Sequence, residues 1–282
     1  MRDITESSRG ASFYGIGAGN PPQTKEIVEG KIYSSDHKKD DTYYPAINGE
    51  DISPYLTKLK GEYISWGKWL FRSRESKFFF EPHILIQRFR KGMERQIIAT
   101  YQKERIINND GLSNFISKDK NYNLKYLLPL LNSKLIDFWF QQYYMDTNVR
   151  PTDLNKIHIK TISPEEQEPF IEKADLMLDL NKDFYEKKEK FLKLLKQEYG
   201  LEKLSTKLNK FYELDFDEFM DQLKVKLSMD KKSELLDFFE KTKKEVSEIS
   251  DNIKKTEKEI NEMVYKLYGI TDEEKKIVES SL

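Results

Sequence analysis

At residue 163 the chain changes the period of its hydrophobic pattern, so one kind of secondary structure cannot account for all of it. Upstream, aromatic and β-branched runs such as Tyr63-Ile64-Ser65-Trp66, His83-Ile84-Leu85-Ile86-Gln87 and Gln96-Ile97-Ile98-Ala99-Thr100 are separated by Gly, Pro and Asn. That is the pattern of short strands and turns. At Ser163-Pro164-Glu165-Glu166-Gln167 a helix opens: Ser163 is a good N-cap, Pro164 suits the first helical position, and Glu166 completes a capping box. The spacing carries it through Ile171, Ala174, Leu178 and Phe184 to Leu195, with Tyr199-Gly200 supplying a left-handed cap. A further helical segment is predicted around 215–227 and another from about Lys231 to Tyr268, stopping at Gly269. Ile249, Ile253, Ile260, Val264 and Leu267 approximate a heptad stripe, so the last long helix is expected to return antiparallel, with a small helical tip near 201–230. One helix interrupts the upstream half, from about Leu124 to Tyr143; its apolar residues fill most of two faces, so it should be buried, with Pro129 in its first turns or at a kink. The expectation is an α+β chain: a β-rich mixed domain over residues 1–162 and an antiparallel long-helix region over 163–282.

The formal net charge of −1 hides a division. Residues 1–160 hold 25 Lys and Arg against 19 Asp and Glu, whereas 161–282 hold 23 against 30, and all nine arginines lie at or before Arg150. Solvated helices need only Lys and Glu, but a guanidinium is a planar fork suited to phosphate and to guanine edges. The first half is therefore the expected polyanion-binding face. Its densest stretch, Lys58 to Arg105, has 12 basic residues against 5 acidic ones. Within it Arg72 alternates with Arg74 and Arg88 with Arg90; on a strand each pair would share a face, with Phe89 turned the other way, toward the core. The expected DNA contacts are Lys68, Arg72, Arg74, Arg88, Arg90, Lys91, Arg95 and Arg105, with Arg forks on O6 and N7 of guanine and Lys on phosphates. Asn108-Asn109-Asp110-Gly111 reads as a turn or as a base-reading loop in which Asn108 and Asn109 would meet adenine. Asp146-Thr147-Asn148-Val149-Arg150-Pro151 reads as a further DNA contact through Arg150 or as an ordinary connection. The rival reading of the basic stretch is a coiled-coil interaction or scaffolding protein whose patch meets an acidic protein surface.

Enzymatic readings find little support. There is no cysteine, and His37, His83 and His158 lie far apart, so no metal site is expected. Gly15-Ile16-Gly17-Ala18-Gly19-Asn20-Pro21-Pro22-Gln23 invites a cofactor glycine loop or an Asn-Pro-Pro motif of adenine methylation. However, only fourteen residues precede it, two prolines follow the glycines, and Gln23 stands where an aromatic would stack on a flipped base. Asp51 with Glu75-Ser76-Lys77 resembles a nuclease set, but such triplets recur by chance in a chain with 34% charged residues. No catalytic residue and no cofactor are assigned. No window approaches 18 uninterrupted apolar residues, and Met-Arg-Asp-Ile-Thr-Glu lacks the apolar core of a signal peptide, so a soluble, cytoplasmic chain without a membrane partner is expected.

The order of several segments carries a family resemblance. These are Arg9-Gly10 with Gly15–Asn20, Asn48-Gly49-Glu50-Asp51-Ile52-Ser53-Pro54-Tyr55, His83–Arg90, Tyr126-Leu127-Leu128-Pro129-Leu130-Leu131-Asn132-Ser133-Lys134-Leu135, Ile162–Gln167, and Met263-Val264-Tyr265-Lys266-Leu267-Tyr268-Gly269-Ile270-Thr271-Asp272-Glu273-Glu274. Together they resemble the C-terminal specificity region of type IIG restriction-modification enzymes and of Taq-type adenine-specific DNA methyltransferases, over nearly the whole chain. The resemblance implies sequence-specific recognition of double-stranded DNA, with a methyltransferase and in some cases a nuclease domain or subunit as partner. It transfers no catalytic residue, because the catalytic domain of that family precedes the region matched here; the chain is expected not to be an enzyme by itself.

Overall fold

Strand His83–Gln87 is enclosed on both faces, all five residues being buried, and the upstream fold is laid out around it. The elements, from a computed structural model that describes residues 1–89, 95–144 and 148–281, begin with β1 (Thr5–Arg9), α1 (Lys25–Glu29), β2 (Ser34–Ser35), β3 (Tyr43–Ile47), β4 (Ile52–Ser53) and β5 (Leu56–Thr57). They continue with β6 (Tyr63–Ser65), α2 (Lys77–Phe80), β7 (His83–Gln87), β8 (Ala99–Gln102), β9 (Ile107–Asn108) and β10 (Leu112–Ser117). One antiparallel sheet has the order β1-β10-β7-β8, and a second has the order β2-β6-β3-β9, in which β3 and β9 run parallel. Register in the first sheet pairs Arg9 with Ser113 and Ser113 with Ile86. Period-2 alternation then sends Leu85 and Leu112 to one face, where they pack with Ile47, Ile52 and Ile106.

The helical part of this half is α3 (Leu124–Leu131), α4 (Lys134–Tyr143) and α5 (Pro151–Leu154). The single helix expected over 124–143 is thus two, and the break lies at Asn132-Ser133, with Pro129 inside α3. The Asn132 amide accepts the Ala99 N–H at 3.0 Å and donates to the Ala99 carbonyl at 2.9 Å, while the Ser133 hydroxyl caps Ile136 N–H at 3.3 Å. The Ser133 hydroxyl thus takes an amide that a continuous helix would have bonded to the Asn132 carbonyl, while the Asn132 side chain is held by the first residue of β8. The strand expected over 96–100 starts instead at Ala99, because the Asp137 carboxylate takes the N–H groups of Gln96 and Ile97, each at 2.7 Å, and keeps them out of the ladder.

Downstream, α6 (Pro164–Tyr199) begins with the expected capping box, Glu166 N–H to Ser163 Oγ at 3.3 Å and Ser163 N–H to Glu166 Oε2 at 2.8 Å. It gives way at Gly200, where φ is +63°. After a 3₁₀ turn over Leu208–Glu213 come α7 (Phe216–Leu223), α8 (Met229–Tyr268) and α9 (Asp272–Ser280). The chain is α+β, as the change of period predicts. It divides into two compact units, Met1–Leu178 with Glu259–Leu282, and Asp179–Lys258.

The smaller unit is held by an aromatic core. Phe191, Phe211, Phe219 and Phe239 are all buried, with ring centroids 4.2 Å apart for Phe191–Phe211 and 4.5 Å for Phe219–Phe239. Lys187 pairs with Glu245 at 2.9 Å, and Phe191 lies near Phe239, so moving forward along α6 moves backward along α8. In the larger unit the final segment is bound in by polar contacts: Asn261 Oδ1 accepts the Lys134 N–H at the start of α4 at 2.8 Å, Tyr268 donates to the His158 carbonyl at 2.8 Å, and Lys173 pairs with Glu259 at 2.6 Å.

Candidate nucleic-acid interface

Ser7 and Arg9 lie two apart on β1 and share one face of the first sheet. Beside them the chain brings Arg72, Arg74 and Arg150, so four arginines, with Ser7 and Ser8, line one open cleft of about 480 Å³. Arg72 and Arg74 meet as the alternation suggests, but on irregular backbone. Arg72 forms an antiparallel bridge with Ser12, and Arg74 sits at a φ of +63°, its Nε donating to the Gly10 carbonyl at 3.4 Å. Gly10 is required here, since a Cβ would lie 2.0 Å from the Asn109 carbonyl oxygen. Arg150 is exposed immediately before α5, whose first residue is Pro151.

Arg88 lies one residue beyond β7 and is only 6% exposed. Its Nη1 donates to the Asp110 carbonyl, its backbone N–H to the Gly111 carbonyl at 2.9 Å, and its own carbonyl accepts the Val149 N–H at 2.8 Å. Phe89 is 51% exposed, which reverses the expected orientation: Arg88 points inward and the phenyl ring points out. The reason is that β7 has ended, and the Arg88 backbone is captured by the turn at Asp110-Gly111. Arg90 and Lys91, with Asp146 and Thr147, lie outside the described residues.

Burial pulls the Arg88 guanidinium below its ordinary value, Arg9 and Arg74 add to this, and Asp110 opposes it. Arg74 is likewise lowered, first by burial and then by Arg72 and Arg9, again with Asp110 opposing. Among the described residues no carboxylate stands within ion-pair distance of Arg9, Arg72, Arg74 or Arg88. The cleft is a concentration of positive charge.

The other predicted contacts are dispersed. Lys68 is exposed in a turn whose carbonyl accepts Asn20 N–H at 2.8 Å, and Arg105 is exposed with its guanidinium 5.1 Å from the Phe80 ring centroid. Arg95 donates to the Asn132 carbonyl at the α3–α4 break. Asn108 is fully buried. Asn109 donates to Asn48 Oδ1 at 2.7 Å and accepts the Gly111 N–H at 2.9 Å, so its amide is spent on the turn. Sequence reasoning missed Arg9 and Asp110; only the pairing of β1 with β10, which no local pattern encodes, brings Arg9 to the cleft.

The two enzymatic motifs are also placed. Gln23 is 2% exposed; its Oε1 accepts the Gly15 N–H at 3.0 Å and its Nε2 donates to the carbonyls of Phe13 and Trp69 at 2.9 and 2.8 Å, folding the glycine segment onto itself. Asp51, 2% exposed, pairs with Lys60 at 2.5 Å and accepts the Asn48 N–H at 2.7 Å, while Lys77 pairs with Glu6 at 2.7 Å and Glu75 at 3.3 Å. These groups are engaged separately. Among the described residues no three His, Asp or Glu side chains are grouped to hold a metal ion, and no helix is long and apolar enough to cross a membrane.

Comparison with known proteins adds the following. Residues 163–264 match a family described as a domain of unknown function, DUF8810. No curated protein sequence matches. The structure of the type IIL restriction-modification enzyme MmeI in complex with DNA is similar with 12% identity and a TM-score of 0.43, over 86% of this chain and 36% of that one. The chain therefore spans little more than a third of the length of that enzyme chain. The resemblance carried by the segments Asn48–Tyr55 and Tyr126–Leu135 holds in the family comparison: residues 44–164 match the family described as the TaqI-like C-terminal specificity domain.

Proposed function

We propose that this chain is the DNA target-recognition part of a restriction-modification system or adenine-specific DNA methyltransferase, with no catalytic centre of its own. Residues 1–162 act as the recognition domain and 163–282 as a helical spacer and interaction region, and the chain works in the cytoplasm with a methyltransferase, and in some assemblies a nuclease, as its domain or subunit partner. The observation that carries the reading is the cleft in which Arg9, Arg72, Arg74 and Arg150 stand together without paired carboxylates on Arg9, Arg72 or Arg74, in and beside a specificity domain. Such a field attracts a polyanion, and guanidinium forks match phosphate and guanine acceptors. Arg72, Arg74, Arg150 and Arg9 are the proposed DNA contacts, with Lys68 and Arg105 as outlying basic groups; Arg88, Arg95, Asn108 and Asn109 shape the surface.

The test is filter binding of the full chain to random duplex DNA over a salt series. The expected result is a steep linear fall of log affinity with log salt, as phosphate neutralisation requires. Flat salt dependence, or no binding, overturns the reading in favour of a protein-facing patch. For the absence of a catalytic centre, calorimetry with S-adenosylmethionine is expected to give no heat of binding. Micromolar binding defeats that part of the proposal.

A further inference from the structure

Arg88 poses an electrostatic problem that the fold leaves unsolved. Its side chain is 6% exposed, its Nε has no hydrogen-bond partner, and Arg9 and Arg74 stand near enough to repel it. A buried cation ordinarily has a paired anion, because desolvation without one is costly. Asp110 is the negative group that acts on both Arg88 and Arg74, yet it forms no ion pair with either. Its carboxylate is exposed, and the one side-chain bond it accepts among the described residues, from Ser12 Oγ, is long at 3.5 Å. The backbone beneath it is fixed: the Asp110 carbonyl is held by Arg88, and the Asn109 amide binds Gly111 N–H and Asn48. A loosely held carboxylate thus sits on a rigid turn beside a self-repelling arginine cluster.

We propose that Asp110 is the resident counter-ion of a phosphodiester seat formed by Arg9 and Arg74 beside the buried Arg88, and that a phosphate of the DNA backbone takes over its role on binding. The inference rests on the DNA reading above and assigns Asp110 the control of affinity at that site. A phosphodiester can bring its negative charge and two acceptor oxygens into direct contact with the guanidinium forks, whereas the Asp110 carboxylate forms no ion pair with Arg74 or Arg88. The carboxylate then costs binding, by repelling the incoming phosphate, and supports the free protein.

The experiment compares the full chain with Asp110→Asn, Asp110→Ser and the control Glu104→Gln, an exposed acid that does not act on Arg74 or Arg88. Asp110→Asn keeps the side-chain volume and the Asn-Gly turn chemistry; Asp110→Ser guards against an effect peculiar to the amide. Binding to random duplex at about 0.1 M salt is expected to tighten about fivefold in both Asp110 variants and to stay within about twofold in Glu104→Gln. The unliganded melting temperature of the Asp110 variants should fall, and saturating duplex should restore it. Wild type that binds duplex while the Asp110 variants match Glu104→Gln overturns this inference and leaves the DNA reading standing. Should duplex fail to bind, melting in inorganic phosphate decides: stabilisation that is greater in the Asp110 variants keeps the seat and assigns it to free phosphate, whereas no stabilisation removes both.

Discussion

Arg88 and Arg72 show how one residue type divides its tasks. Arg72 is exposed in the cleft, with its guanidinium 5.0 Å from the Phe71 ring centroid, whereas Arg88 is buried and bonds a turn carbonyl. Arg72→Ala is predicted to leave thermal stability unchanged and to reduce the salt slope of DNA binding by about one, with uniform weakening across sequences. Arg88→Ala should instead destabilise the protein by about 1.5–3 kcal/mol, the range for a hydrogen bond to a charged group, as read by urea unfolding. An unchanged unfolding midpoint for Arg88→Ala would return it to the surface. The sequence showed that both arginines lie in a basic stretch, but not which was buried, since that depends on where β7 ends and the 108–111 turn begins. His83 carries a separate residue-scale consequence. It is fully buried on β7, its Nδ1 donates to the Glu81 carbonyl at 2.7 Å, and burial lowers its pKa from 6.5 to about 4. The native state therefore binds a proton less readily than the unfolded chain. Stability from this group is complete above pH 6.5 and is lost as the pH falls through about 4, a change of about 3 kcal/mol. Urea unfolding from pH 7 to pH 4 should show that decline in the wild type and a smaller one in His83→Gln.

At the scale of elements, legibility followed the range of the interactions that set each boundary. The start of α6 was readable because Ser163, Pro164 and Glu166 act within four residues of one another, and its end because Gly200 supplies the left-handed turn locally. The break between α3 and α4 was not readable, because Asn132 bonds Ala99, 33 residues away, and no local pattern announces it. For the same reason the start of β8 was misplaced: Asp137 draws off two amides from 40 and 41 residues upstream. Replacing Asn132 with Ala should leave the Ala99 N–H buried and unpaired, at about 1–3 kcal/mol, while the Ala99 carbonyl keeps the Tyr55 N–H at 3.0 Å. The expected outcome is a lower urea midpoint together with loss of slow amide exchange at Ala99. Retention of Ala99 protection in the variant would show that α3 and α4 are separated by something other than this side chain.

For the whole molecule, the family boundary and the packing boundary differ, and the difference makes a prediction. The specificity-domain match ends at residue 164, yet the larger compact unit runs to Leu178 and regains the chain at Glu259. Three side chains explain why. Asn261 caps the N-terminus of α4, Tyr268 bonds the His158 carbonyl, and Gln167, 1% exposed, accepts the Asn123 N–H at 3.0 Å and donates to the Asn121 carbonyl at 2.8 Å. Phe170, Ala174, Ile260 and Val264 are buried as well, so removing these helical ends strips apolar cover as well as hydrogen bonds. A chain stopped after residue 162 loses all of this; burying one large apolar side chain is worth about 1.5–3 kcal/mol, and several are involved against a total stability of about 5–15 kcal/mol. By contrast, the Lys173 ammonium and the Glu259 carboxylate form an ion pair at 2.6 Å, so α6 and α8 run side by side near the cut and a Gly-Ser linker can join Leu178 to Glu259 when residues 179–258 are removed. The linked chain is predicted to melt cooperatively and to bind random duplex with the wild-type salt slope, while the chain ending at 162 should lack a cooperative melt. Deleting only 201–230 should likewise spare the fold of residues 1–160. Circular dichroism melts and filter binding decide between the alternatives: if the chain ending at 162 melts as sharply as the linked one, the helical ends are dispensable and the recognition domain closes at the family boundary.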